Sequence, residues 1–424
     1  MSALVIAAVA RANLRVVYLI VFLDMLGFGV IIPVLRDLTA YLVRNTGATY
    51  WPPEFYMGLL MASYSGAQMV SAPFVGRLSD LYGRRPVFLF SALGNLASYV
   101  IWMLSSSYWP FLIGRVVSGI TGGNIAIAQS ILADNTSPAE RPRAMGLLGA
   151  AIGMGFVLGP FLGVVMININ QSGLPEMTNI NQYWYIGAIP LLLAFLPPLM
   201  IMFNRSVAWG RAGMQDGRSA FVAVWESLFR AGDRGVYLAH LLTQLSFVAF
   251  EVLFAWVLQH QYAFDLKDTY YYFGAQGVIL ALVQGGIYRR VEKRRPPEYW
   301  VRAGFLASAV GMLVLPWIGY MPATLIFGLT LKTVLLSILI VFMTLALGFS
   351  SPSINAFASL RTAGEHQGQT MGNLQALASM ARFVAPLVAT SLYAAWLPLP
   401  FVMGGLACLI AWHIFRRYAR PVIS

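Results

Sequence analysis

Charge is scarce in this chain. Only 10% of its 424 residues are Asp, Glu, Lys or Arg, against about 25% in soluble globular proteins. So few charges cannot furnish a water-facing surface. With a mean hydropathy of +0.70, most of the chain is expected to lie in lipid. Cysteine is scarcer still: the one residue, Cys408, excludes an intramolecular disulfide and a thiolate metal site. Four scattered histidines offer no metal-ligand spacing. No local motif suggests a Ser-His-Asp arrangement, and no Walker-type phosphate loop occurs. The chain is therefore not expected to be an enzyme, and it implies no cofactor and no metal. A net charge of +12 is compatible with nucleic acid, but the placement of the charges argues for a membrane and against a nucleic-acid partner.

Long apolar runs are plentiful. A spanning helix takes roughly 20 apolar residues, and twelve candidates are present: about 14–35, 54–77, 86–105, 108–133, 143–166, 183–203, 235–258, 268–287, 301–320, 333–353, 367–393 and 397–416. The ninth and tenth are divided at Tyr320-Met321-Pro322, where Pro and the adjacent Gly319 punctuate a nearly continuous apolar stretch. The segment 204–234 is different, carrying five Arg and three acids. It reads as a cytosolic linker between an N-terminal bundle of residues 1–203 and a C-terminal bundle of residues 235–424, with room for a short surface-lying amphipathic helix near Ala220 to Phe229. The start is apolar before Arg11 and Arg15, the reverse of a secretory leader, so the first span is expected to serve as its own insertion signal.

Lys and Arg orient the chain. With both termini cytosolic, 22 of the 28 fall in cytosolic segments. Arg36, Arg44, Lys267 and Lys332 fall outside, and Arg115 and Arg382 lie within spans. The expectation is a multi-pass protein of the cell membrane, with both ends cytoplasmic. The halves also repeat: Met145-Gly146 with Pro160 corresponds to Met371-Gly372 with Pro386, and Gly76 to Arg85 corresponds to Gly286 to Arg295. The fold class that follows is an all-α membrane protein of twelve transmembrane helices in two six-helix, pseudo-symmetric halves. Duplicated halves are a transporter architecture with its site near the midplane.

One short loop carries the most specific signal. Gly76 to Arg85, GRLSDLYGRR, sits between two membrane-length runs. Gly76, Leu78, Asp80, Gly83, Arg84 and Arg85 fill the G-x-L-x-D-x-x-G-R-R/K pattern, so the loop resembles the signature between helices 2 and 3 of the major facilitator superfamily. Leu26, Gly27, Pro33 and Val34 resemble the first-span pattern of its twelve-span drug:proton antiporters, with Arg36 where the pattern ends in Pro. Arg115 with Gly119 matches the fourth-span pattern. Gly146, Gly155, Gly159, Pro160 and Gly163 resemble the fifth-span antiporter motif, with Val164 in place of its last Gly. Met371, Gly372, Leu374, Leu377, Ala381, Arg382 and Pro386, with Glu251, resemble tetracycline-resistance antiporters and, more closely, tetracycline transporter-like proteins. The resemblance implies secondary transport by alternating access: proton-coupled export of amphipathic organic molecules by a monomer in the bilayer.

Charges inside spans mark candidate sites, because each costs free energy to bury. Asp24, Arg115, Glu251 and Arg382 qualify, and pairing across a shared cavity is the simplest expectation. Asp24, with Arg115 and Glu251, is expected to couple protons. Arg382 is a candidate contact for substrate, alongside the polar span residues Asn124, Gln129, Gln244 and Gln375. In the loop, Asp80 is expected to hold the positive start of span 11, and Arg84 or Arg85 to reach Asp134. Each of these has a structural alternative: a static ion pair, interhelical glue, or enforcement of topology. His240 and His413 lie near span ends and read as incidental. With two Arg residues in spans, an organic anion or zwitterion fits the substrate at least as well as a cation. A uniporter or symporter for a metabolite, or a flippase or receptor on the same fold, remains open on residues alone.

Overall fold

A computed structural model describes residues 3–47, 50–136, 141–171, 181–204, 234–291, 294–321, 324–326, 329–361 and 367–418. The expected linker 204–234 lies almost wholly outside them. In hydrocarbon, every backbone N–H and C=O needs an internal partner, so each long apolar run becomes a helix.

The helices are α1 (Ala3–Ile31), α2 (Leu35–Thr46), α3 (Pro53–Tyr82), α4 (Arg84–Leu104), α5 (Tyr108–Thr121), α6 (Asn124–Asp134), α7 (Arg141–Gln171) and α8 (Asn181–Phe203). They continue as α9 (Arg234–Tyr262), α10 (Leu266–Leu282), α11 (Tyr288–Val291), α12 (Pro297–Ile318), α13 (Leu331–Leu360), α14 (Gln367–Ala395) and α15 (Leu399–Tyr418). Twelve helical passes result, each over one of the apolar runs. Their outer surface is itself apolar, with Val70, Phe74, Leu192 and Ile338 among the exposed side chains. Water would penalise such a surface and lipid does not. The one described strand pair, β1 (Leu325–Ile326) and β2 (Leu329–Thr330), is antiparallel and joins α12 to α13.

Three passes depart from a simple rod. The first does not stop near residue 35. It tightens into a 3-10 turn at Ile32–Val34, where Pro33 removes a backbone donor, and continues as α2. Leu14–Thr46 is 33 residues long, about 50 Å at the helical rise, so α2 runs beyond the hydrocarbon core. The fourth pass, expected as one helix over 108–133, breaks at Gly122-Gly123 between α5 and α6. The eighth contains a π-helical turn at Val283–Ile287 between α10 and α11.

Helix ends follow local chemistry. Asp265 and Thr330 accept backbone N–H bonds from Asp268 and Thr333, capping α10 and α13. Gly47, at φ 66, ends α2. Gly83 turns α3 into α4 at φ +90, and a Cβ there would meet nothing within 4 Å. Its only obstacle to substitution is backbone conformation. Gly83→Ala is therefore expected to lower stability by about 1–2 kcal/mol, read as a lower melting temperature of the purified protein with transport retained below it.

Packing resolves two units. One comprises Met1–Ala48 and Gly66–Ser219, the other Thr49–Ser65 and Ala220–Ser424. The core of the first gathers Val17, Ile20, Val21, Phe88, Ile127, Ile131 and Leu148. That of the second is built along α9, from Val248 to Leu258, against Met312, Leu336, Ala389 and Phe401. The first turns of α3 belong to the second unit: Trp256 Nε1 donates to Met57 Sδ at 2.8 Å, and a Cβ on Gly58 would strike Thr390.

Candidate functional site

In the first unit, α1 carries Asp24 into the interior, where it is 7% exposed. Asn95 Nδ2 on α4 donates to Asp24 Oδ1 at 3.2 Å, and Asn124 Nδ2 donates to Oδ2 at 2.5 Å. Ser118 Oγ in turn donates to Asn95 Oδ1 at 3.3 Å. Asn124 is the first residue of α6, and the positive end of that helix favours a carboxylate beside it. The break that makes this end exists because Gly122-Gly123 interrupts the pass. At the break the carbonyls of Gly119, which also accepts from the Gly122 N–H, and Gly122 accept from Ser71 Oγ and Gln68 Nε2 of α3. Discontinuous helices of this kind are tolerated in membranes where other groups satisfy the backbone.

Arg115, 2% exposed on α5, is held among aromatic rings. Its guanidinium lies 5.5 Å from the Phe28 ring and 5.4 Å from the Trp102 ring. Cation–π contact of this kind offsets part of the cost of burying an Arg. Among the described residues, no Lys, Arg or His lies within ion-pair distance of the Asp24 carboxylate. The buried anion is met by amides.

The fifth-pass glycines form the wall behind Asp24. A Cβ on Gly155 would come 2.6 Å from Met25 Cβ and 2.8 Å from the Leu26 backbone nitrogen. One on Gly159 would come 2.6 Å from the Gly29 backbone. These two residues let α7 lie directly on the helix that bears Asp24. Pro160 and Gly163 are buried beside them, whereas Gly146 falls outside the residues whose side-chain surroundings are described.

The loop after α3 ties the same unit together at its other end. Arg84, buried, donates from Nε to Asp134 Oδ2 at 3.1 Å and from a terminal nitrogen to Ser79 Oγ at 3.0 Å. Arg85 donates to the Ile201 and Met202 carbonyls, at 3.1 and 2.8 Å from its Nη2, closing the end of α8. The reach to Asp134 is thus made by Arg84. Gly76 and Asp80 lie on α3, but the surroundings of their side chains are outside the description, as is any partner of Asp80.

In the second unit, α9 and α14 bring Glu251 and Arg382 into electrostatic interaction, with Tyr64 also near Arg382. Arg382 Nη2 donates to Ser379 Oγ at 3.3 Å. A cavity of about 50 Å³ runs beside α9, lined by His240, Gln244, Phe250, Gln276, Ser350 and Cys408 among others. It has room for a few waters. Gln244 thus lines a space inside this unit. Gln375 is exposed, with its carbonyl accepting from Ser379, and Gln129 is half-buried on α6.

Residues 17–331 match the Major Facilitator Superfamily. The chain belongs to that superfamily. It is 28% identical over 421 residues to the class H tetracycline resistance protein of Pasteurella multocida, covering 96% of this chain and 98% of the relative. It is 27% identical over 438 residues to human major facilitator superfamily domain-containing protein 10, covering 95% and 90%. The crystal structure of that human protein, described as the organic anion transporter MFSD10 (TETRAN), superposes with a TM-score of 0.70 at 24% identity, over 96% of this chain and 99% of the other. The inward-open xylose transporter XylE from E. coli gives 0.72 at 18%, over 96% of each chain. The major facilitator fold is thereby established: an integral, multi-pass membrane transporter that is not an enzyme.

Two features of this facilitator were not singled out by its sequence. Asn95 reads as one of many polar span residues, and nothing local says that it meets Asp24. His240, read there as incidental, is 7% exposed and lies near the Leu374 backbone and Arg382. Its signal was a lone imidazole one turn inside an apolar span, too weak without its neighbours.

Proposed function

We propose that this chain is a proton-coupled antiporter exporting amphipathic organic molecules by alternating access, with an organic anion or zwitterion among its substrates. Its termini are cytoplasmic, its two bundles cover residues 1–203 and 235–424, and 204–234 links them. Asp24 is the proton site. Arg115 and Glu251 are its coupling partners, and Arg382 with Asn124, Gln129, Gln244 and Gln375 contacts substrate. The Gly76–Arg85 loop and Asp134 serve gating, and the α7 glycines serve the packing that antiport needs. The monomer is the transporting unit.

The observation that carries this reading is the carboxylate of Asp24: buried, held by two amides and without a cationic counterpart among the described residues. A buried charge without a partner is costly, and taking up a proton removes it. A carboxylate locked to an Arg would have no such route. The tetracycline resistance and organic anion transporter names of the relatives support organic substrates of either charge class.

The test is uptake into proteoliposomes with and without a pH gradient, using tetracycline, lipophilic anions and lipophilic cations, for wild type and Asp24→Asn. Gradient-driven accumulation is expected to vanish in the variant while substrate exchange persists. Accumulation that survives in Asp24→Asn would move the proton to Glu251 or elsewhere. Wild-type transport indifferent to the gradient would make the protein a uniporter.

A further inference from the structure

Asn124 differs from its neighbour Asn95 in one respect. Both donate to Asp24, but Asn95 Oδ1 accepts from Ser118, whereas Asn124 Oδ1 is buried with no hydrogen-bond partner. Asn124 is 8% exposed, so an orphaned acceptor there is unfavourable and needs a reason. An amide carries two faces, NH2 donors and a carbonyl acceptor, and a half-turn about its last bond exchanges them.

A charged Asp24 only accepts. Both amides then present NH2 to it, which is the arrangement observed. A protonated Asp24 has gained an O–H, which needs an acceptor. Asn95 could supply one only if Ser118 changed with it, its hydroxyl passing from donor to acceptor. Asn124 can supply one by turning its Oδ1, which has no bond to lose, toward the acid.

We propose that Asn124 is the residue that reads the protonation state of Asp24, by turning its side-chain amide. This rests on Asp24 being the proton site. A proton from the aqueous phase binds Asp24 Oδ2, and the new O–H donates to Asn124 Oδ1. Asn124 Nδ2 turns away to the position the oxygen held. When the proton leaves, the amide turns back and Nδ2 again donates to the carboxylate. The side of Asn124 facing away from Asp24 is therefore an acceptor in the charged state and a donor in the protonated one. Because Asn124 begins α6 at the Gly122-Gly123 break, this change of hydrogen-bond character is delivered to the one place where the fourth pass has no continuous helical ladder. Asn124 acts here as a positioning residue, through Asp24.

The test compares wild type, Asn124→Leu, which neither donates nor accepts, and Asn124→Ser, whose hydroxyl does either. Difference infrared spectra of the reconstituted protein across a pH titration report the carbonyl stretch of protonated Asp24, assigned by its disappearance in Asp24→Asn. Proteoliposome assays report accumulation and exchange. In Asn124→Leu the band is expected to move to higher frequency as its hydrogen bond is lost. Gradient-driven accumulation is expected to fall about tenfold, the equivalent of one hydrogen bond. Asn124→Ser is expected to restore both. A band and an accumulation unmoved in Asn124→Leu, with Asp24 still titrating, would overturn the role of Asn124 alone. A band that shifts in Asn124→Leu and is not returned by Asn124→Ser would also overturn it, since a side chain able to hydrogen-bond would then make no difference to the acid. If no Asp24 band appears at any pH, the assignment of the proton to Asp24 fails first.

Discussion

Arg382→Ala is expected to lower the melting temperature of the protein, and the double variant Arg382→Ala/Glu251→Gln to recover most of that loss. Both groups are half-buried and interact electrostatically, so removing one leaves the other's charge less well compensated, at less than the roughly 3–5 kcal/mol of a fully buried ion pair. Removing both charges leaves nothing to compensate, and Ala and Gln keep α9 against α14. Thermal melting of the four proteins of the cycle in one detergent gives the coupling directly. A cycle that sums to zero would mean that Glu251 and Arg382 do not support each other, and that the electrostatic contact between them is incidental. Accumulation assays on the same four proteins separate stability from transport. Should Arg382 bind substrate, the double variant will be stable and inactive.

Gly159→Val is expected to prevent close packing of α7 on α1 and to abolish transport. Val brings three carbons to a point where the first would already sit 2.6 Å from the Gly29 backbone. Side-chain clashes relax by rotation, but this one meets main chain on a facing helix, so the helices must part. Overpacking costs typically 1–3 kcal/mol where side chains can give, and more is expected here. Membrane helices lack a hydrophobic drive to associate and depend on such close approaches. The same helix supplies its own controls: a Cβ on Gly149 or Gly153 meets nothing within 4 Å. Gly149→Ala and Gly153→Ala are expected to transport normally. Equal loss from Gly153→Ala and Gly159→Val, measured as accumulation per folded molecule, would show that glycine content rather than this contact matters.

The contrast among those glycines shows what the sequence could and could not convey. Glycines four apart on α7 look alike in the chain. Only the facing helix separates Gly155 and Gly159, which touch α1, from Gly149 and Gly153, which touch nothing described. The same holds for the charges. That Asp24 and Arg115 are buried, and Glu251 and Arg382 half-buried, could be read from their apolar flanks. That Asp24 meets Asn95 and Asn124 while Arg115 lies over Phe28 and Trp102 could not. Those contacts join residues 71 and 100 positions from Asp24 along the chain, and no local rule connects them.

The sequence by itself determined that there are twelve helical passes and where nearly all of them run. In lipid an apolar run of about 20 residues has no other way to satisfy its backbone, so periodicity and propensity hardly enter. It also marked the turn at Gly83 and offered Arg84 or Arg85 for Asp134, because a short loop between two helices leaves few places to reach; which of the two meets it was decided by packing. Tertiary structure decided which polar side chains share an interior. It placed the opening of the fourth pass at Gly122-Gly123, where α3 supplies donors. It left Asn124 with a bare oxygen. Each of these depends on a hydrogen bond between helices distant in sequence. In an interior without water, the free energy of such a bond is set by whether its partner is there.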